Sequence, residues 1–189
     1  YYPVDAVYEK LTLIREIRKK RKEDFPNRFL ILGSATNTVT KAGIIHLLSL
    51  LNQIHEDLEF EIDLAGFRTE ELQSQFSSYD YDWVQLHGTI DVETLEKLLS
   101  NTRGILIYQE AGVGALTRIP EMLIAGVPVI ANGNACRSMF EYKGVFTYET
   151  IEELGKLMES QFDSIPPIPH RHLNLEERFI DCLNKFTNE

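Results

Sequence analysis

The sequence predicts an α/β fold built on a parallel sheet of about six strands with helices on both faces. Short apolar runs alternate with segments whose apolar residues recur at helical spacing. The connections between them are short, which is the pattern of βαβ units. The apolar runs are continuous rather than alternating, as in strands covered on both faces.

The elements follow in order along the 189 residues. Asp5 to Lys22 sets Val7, Leu11, Ile14 and Ile17 at helical spacing and ends in Arg18-Lys19-Lys20-Arg21-Lys22. That run reads as a solvated helix end whose cations complement the macrodipole. An anionic membrane surface or partner is the second reading. Arg28 to Gly33 is the first strand, followed by a polar loop from Ser34 to Thr40 and a helix carrying Ile44, Ile45, Leu47, Leu48 and Leu51. Phe60 to Ala65 is the second strand and ends at Gly66. Glu70 to Phe76 is a short helix. Trp83 to Leu86, ending at His87-Gly88, is the third strand. Asp91 to Leu99 reads as a helix capped by Asp91. Gly104 to Tyr108 is the fourth strand. Thr117 to Ala125 is a helix with Gly126 where a C-terminal cap favours glycine. Val127 to Ala131 and Val145 to Tyr148 are strands five and six, and Ile151 to Phe162 is a helix. Ile165 to Pro169 is too rich in proline for a helix, so it reads as an extended crossing segment before a last amphipathic helix at Leu175 to Phe186.

Six strands with right-handed crossovers predict the order 3-2-1-4-5-6, a Rossmann-like sheet with its switch point between strands one and four. Ligands in such sheets bind beyond the carboxyl ends of the strands at that point. Two loops are thereby nominated, Gly33 to Gly43 and Gln109 to Arg118.

Composition narrows the ligand. The hydrophobic fraction of 43% and charged fraction of 25% are those of an ordinary soluble domain. A formal net charge of −10 argues against nucleic acid, whose phosphates need a broad basic surface. It leaves room for a small anion held by a few local cations. The only two cysteines, Cys136 and Cys182, form no disulfide or zinc framework, so a reducing, cytoplasmic compartment is expected. The opening Tyr1-Tyr2-Pro3 lacks an initiator methionine, which fits a piece of a longer chain.

Both loops carry phosphate chemistry. Gly112 and Gly114 let a backbone approach an anion, and the helix opening at Thr117 offers free N–H groups and a partial positive charge. Thr117 supplies a hydroxyl, and Arg118 can grip phosphate oxygens in a bidentate fork. The first loop adds the hydroxyls of Ser34, Thr36, Thr38 and Thr40, with Lys41 as a point charge. Three other motifs are weaker. Asp80-Tyr81-Asp82 has the spacing of a metal-binding Asp-x-Asp but precedes a strand, where a solvated turn is expected. His170-Arg171-His172 has no cysteine or carboxylate support for a metal. His46 reads as a packed or surface histidine. No metal or cofactor is expected.

Glu121-Met122-Leu123-Ile124-Ala125-Gly126-Val127-Pro128-Val129-Ile130-Ala131 resembles the E-A-x-A-x-G-x-P-V-I-A segment of donor-binding domains in GT-B glycosyltransferases, especially the large retaining family. Other pieces occur in the family's order: Gly33, Lys41-Ala42-Gly43, Ala65-Gly66, Leu86-His87-Gly88-Thr89-Ile90, Gly144-Val145 and Glu152-Glu153-Leu154. The resemblance spans about residues 28 to 162. It implies one half of a GT-B fold that binds a nucleotide-sugar donor and transfers the sugar, hexosyl in kind, with retention, to a sugar or glycan acceptor. The diphosphate sugar is then a substrate, not a cofactor. The acceptor-binding domain would belong to the same or another chain, and this domain alone would be inactive. Residues 1–27 would be a leading helix from the domain junction, and 163–189 the crossing segment and final helix.

The resemblance also implies roles. Glu121 would accept hydrogen bonds from the ribose hydroxyls, as an ionised carboxylate can. Lys41 and Arg118 would neutralise the diphosphate, and groups near Gly66, Phe67, His87 and Gly88 would frame the base. Two departures stand out. Val113 occupies the place of the family's sugar-contacting Glu, with Glu110 nearby, and Ser34 stands where the family has an arginine. A non-catalytic nucleotide-sugar-binding or scaffolding module, and a nucleotide-sugar epimerase of the same architecture, are the rival readings.

Overall fold

The computed structural model describes residues 4–21, 25–76, 81–110, 116–137, 141–161, 165–169, 180–181 and 184. Its core is a six-stranded parallel sheet in the order β3-β2-β1-β4-β5-β6. The strands are β1 (Arg28–Leu32), β2 (Glu61–Ala65), β3 (Val84–Gly88), β4 (Gly104–Ile107), β5 (Val129–Asn132) and β6 (Val145–Tyr148). This is the Rossmann-like order expected from the sequence. β1 is central, with Leu30 level with Asp63 of β2 on one side and Ile105 of β4 on the other.

Alternation along the strands sorts the core into two layers. Phe29, Ile31, Leu106 and Ile130 face one side. There they meet Leu47, Leu48 and Leu51 of α2 (Thr38–Ile54) and Leu154 and Met158 of α7 (Ile151–Glu159). Leu30, Ile105, Val129 and Ala131 face the other side. They meet α1 (Val4–Lys20), α4 (Val92–Asn101) and α5 (Arg118–Ile124) through Ile14, Ile17, Leu99, Ile119 and Met122. α2 therefore leaves β1 on one face while α5 follows β4 on the other, opening a crevice beyond the carboxyl ends of β1 and β4.

Local signals explain most helix ends. Asp91 caps α4 by accepting from the Thr94 N–H at 2.8 Å. Gly126, at φ +79°, follows α5 and closes it with a bond from the Val127 N–H to the Met122 carbonyl at 2.8 Å. Thr150 and Glu153 form a reciprocal capping box on α7. The stretch between β2 and β3 is a 3₁₀ turn, Thr69–Leu72, running into α3 (Gln73–Phe76). A short helix after β5, α6 (Gly133–Cys136), is an addition to the elements expected from sequence.

The basic end of α1 is only in part the solvated face expected from sequence: Lys19 and Lys20 are exposed, whereas the two arginines turn to main-chain carbonyls. Arg18 donates to the Leu123 carbonyl at 3.0 Å and to the Pro166 carbonyl at 2.6 Å. Arg21 is buried and donates to the carbonyls of Leu99 and Thr102, with its guanidinium 4.2 Å from the centre of the Phe25 ring. These arginines bond carbonyls at the ends of α4 and α5, where the intrahelical ladder runs out. Lys19 pairs with Glu16 and Lys20 with Glu96. Lys22 lies outside the described residues. With the two arginines engaged inside the fold and the two exposed lysines paired with carboxylates, the run gives no support to membrane contact. Among the described residues no helix is long and apolar enough to cross a membrane.

Residues 165–169 run without helix, as their prolines require. They cross beneath β6, where a Cβ at Gly144 (φ +92°) would overlap Pro166. Of the expected final helix, only residues 180, 181 and 184 are described, and these are helical.

Candidate nucleotide-sugar site

The crevice between β1 and β4 is built by close backbone approach. Gly43, in the second turn of α2, lies so near the end of β4 that a Cβ there would overlap the Tyr108 carbonyl. The first turns of α2 are thereby drawn over the switch point. Asn37 caps this helix, accepting from the Thr40 N–H at 2.9 Å. The loop after β1 is tied to the loop after β2 by a bond from the Ala35 N–H to the Phe67 carbonyl at 2.9 Å. That second loop is tied to the end of β3 by the Gly66 N–H on the Gly88 carbonyl, also at 2.9 Å. Three successive strand ends thus form one laced floor.

Arg118 crosses this floor. It opens α5, and its guanidinium donates to the carbonyl of Leu32 at the end of β1. Together Leu32, Thr40, Gly43, Tyr108 and Arg118 enclose a small cavity of about 20 Å³. Burial lowers the Arg118 pKa from its ordinary value, with the charge of Glu121 acting the other way. Among the described residues one arm of the fork is engaged. Its other N–H groups have no partner among the described residues, an arrangement suited to an anion. Lys41 lies in the same turn of α2 as Thr40, partly exposed, and its ammonium likewise has no partner among the described residues.

The comparisons with known proteins can be set beside this geometry. No family model matches the chain, and no curated protein matches it. Among solved structures, TarM aligns with a TM-score of 0.59 at 14% identity, over 73% of this chain and 29% of its own. AviGT4, a glycosyltransferase involved in avilamycin A biosynthesis, aligns with a TM-score of 0.55 at 16% identity, over 89% of this chain and 56% of its own. The fold is that of a GT-B glycosyltransferase domain. It is shared by the UDP-GlcNAc 2-epimerase of Methanocaldococcus jannaschii, solved with UDP-GlcNAc and UDP, at a TM-score of 0.54 and 20% identity, over 96% of this chain and 52% of its own. The chain spans 29% to 56% of the length of these three structures.

Within this GT-B-like domain the residues singled out from sequence divide into three groups. Gly33 follows β1 and Arg118 reaches the end of that strand, Lys41 lies in the first turn of α2, and Gly66 and Gly88 frame the adjoining loops. Ser34 and Thr36 lie at the rim but bond to each other, 2.8 Å between hydroxyls. Thr117 is exposed at the start of α5 without a side-chain cap bond. Glu121 sits one turn along, with Oε1 2.6 Å from Lys10 Nζ. His87 turns its ring away from the crevice, its Nε2 2.7 Å from Oδ1 of the buried Asp63, which also accepts from Arg28 at 3.1 Å. The imidazole is therefore committed to the sheet face. Gly112 and Gly114, with Val113, lie outside the described residues, as do Asp80, His170–His172 and Cys182. Asp82 opens on the amino-terminal end of the sheet, beside Arg28 and Glu61, opposite the crevice. His46 is exposed and stacks on Tyr108, with 4.3 Å between ring centres. Among the described residues no group of three or more His, Cys, Asp or Glu could hold a metal ion.

Sequence reasoning missed Asn132. Its buried amide accepts from the Gln109 N–H and donates to the Gln109 carbonyl, both at 2.9 Å. Asn134 donates to the Glu110 carbonyl at 2.7 Å, and Arg137 to the Gln109 side chain at 3.2 Å. These residues of and beside α6 anchor the start of the glycine loop. The Asn132-Gly133-Asn134-Ala135 sequence was the available signal, since an Asn directly before a helix is a favourable N-cap. Asn132→Ala should cost about 1–3 kcal/mol of stability, because both Gln109 main-chain groups lose a buried partner. Urea unfolding of the variant measures it, and a change within experimental error would show that the amide pair does not hold the loop.

Proposed function

We infer that this domain binds the donor of a glycosyltransferase, a nucleoside diphosphate sugar, and that transfer needs no metal ion. The observation carrying this reading is the partly engaged Arg118 fork, held over the end of β1 at the switch point. Where the family resemblance implies an arginine directly after strand one, this chain has Ser34. Arg118 reaches the same strand end from α5 and supplies the missing cation. With Lys41 it would face the two phosphates. The leaving diphosphate gains negative charge as the sugar develops oxocarbenium character, and two fixed cations stabilise that charge in place of a metal. Glu121 would hold the ribose and the main chain of the loops after β2 and β3 the base.

The acceptor, a sugar or glycan, would be presented by an acceptor-binding domain in this or another chain. Positioning supplies several kcal/mol of such a barrier, so these 189 residues alone would transfer sugar poorly. We take residues 28–162 as the donor-binding unit, the helix before it and the segment after it as junction pieces, and the compartment as cytoplasmic.

Calorimetric titration in chelator with uridine, guanosine and adenosine diphosphates tests the reading. One of them should bind without metal, and failure of all three at millimolar concentration would remove it. Glu121→Ala should then weaken binding by about 1–3 kcal/mol through loss of a charged acceptor, with an unchanged circular dichroism spectrum. Unchanged affinity would assign Glu121 to the helix surface.

A further inference from the structure

α1 and α5 run side by side in the same sense. Arg18 meets the Leu123 carbonyl at the end of α5. Lys10, two turns earlier, meets Glu121 near the start of α5. The first half of α1 therefore lies along the crevice end of the domain. Its cation reaches the one carboxylate that shares a helical turn with Arg118.

The contact is one-sided. Lys10 Nζ lies 2.6 Å from Oε1 of Glu121, and no bond to Oε2 is recorded among the described residues. Lys10 keeps 52% of its side-chain surface exposed and Glu121 keeps 26%. Glu121 is thus held from the α1 side by one oxygen, the other having no partner among the described residues. A carboxylate flanked by two cations has a defined orientation. A free one on a seven-residue helix would sample several rotamers.

We propose that Lys10 is a positioning residue for the donor, fixing the Glu121 carboxylate beside Arg118 so that its open oxygen meets the ribose hydroxyls. This rests on the donor-binding reading above. It makes the leading helix part of the site, although the sequence motifs of the site all begin after residue 27. Lys10 does not touch the nucleotide and acts only through Glu121.

The test compares uridine diphosphate with its 2′,3′-dideoxy analogue, titrated into the wild-type chain and into Lys10→Met and Lys10→Arg. Lys10→Met should weaken uridine diphosphate binding about three- to fivefold, the range for a partly exposed ion pair. Lys10→Arg should restore most of it. The dideoxy analogue should bind wild type and Lys10→Met alike, because it has no hydroxyls for Glu121 to hold. Equal weakening for both ligands would overturn the proposal, since Lys10 would then be a general attractor of phosphate. An unchanged or tighter Lys10→Met would also overturn it, the tighter case meaning that Lys10 competes with the ribose. Absence of binding by wild type, with guanosine and adenosine diphosphates as controls, is the distinct failure that removes the donor reading itself. Thermal unfolding of each variant separates loss of fold from loss of orientation.

Discussion

Arg118→Met should weaken nucleoside diphosphate binding about tenfold to a hundredfold, corresponding to the 1.5–3 kcal/mol of a charged hydrogen bond. Methionine retains much of the aliphatic volume, so the core contacts at the start of α5 persist. What disappears is the fork. The Leu32 carbonyl loses its partner, and the phosphates lose the cation that sits on the floor of the crevice. Arg118→Lys should recover only part of the loss, because an ammonium cannot bond the carbonyl and a phosphate in the same planar geometry. Titration of both variants in chelator measures the effect. Wild-type affinity in Arg118→Met would mean that the anion, if bound, is held elsewhere, and the assignment of this crevice would fall.

Gly66→Ala should destabilise the fold by about 3 kcal/mol or more, adding a strained backbone to overpacking against main chain. Gly66 has φ +130°, outside the range that a side chain tolerates. A Cβ there would overlap the carbonyl oxygen of Gly33, which belongs to the central loop and cannot swing away. Gly155→Ala is the matched control. Gly155 lies within α7, and a Cβ there would meet the Leu58 methyl at 3.4 Å and the Ile54 methyl at 3.8 Å, both ordinary contacts. That change should be neutral or stabilise by up to about 1 kcal/mol, the helical preference for alanine over glycine. Urea unfolding of the pair decides it. Equal stabilities would show that the loops after β1 and β2 can separate, and that the laced floor is not a rigid part of the site.

The two experiments probe different parts of one arrangement. Gly66 and Gly33 let the strand-end loops touch main chain to main chain, which fixes where the crevice is. On the donor-binding reading, Arg118 would then supply the cation that draws an anion into it. A chain of net charge −10 repels anions at long range, so local, desolvated cations must supply the attraction.

Much of this was legible in the amino-acid order. Continuous apolar runs such as Phe29-Leu30-Ile31-Leu32 and Gly104-Ile105-Leu106-Ile107, short and closed by turn residues, fit central parallel strands, and their alternation with helical periodicity favours this sheet order. Turn and cap chemistry is equally local, which is why Asp91 and Gly126 could be assigned from their neighbours alone. The switch-point loops followed from that order, and with them the places of Gly33 after β1, Lys41 in the first turn of α2 and Arg118 at the start of α5. What the sequence could not disclose is which partner each polar side chain takes, because those partners are remote along the chain. Asp63 withdraws the His87 ring from the crevice, and Lys10 reaches Glu121 across 111 positions. Arg18 and Arg21, which read as part of a solvated basic run, turn inward to carbonyls that only helix packing brings near. Periodicity and caps are short-range properties written in neighbouring residues. The partner of a charge is decided by burial, which exists only once distant segments have packed.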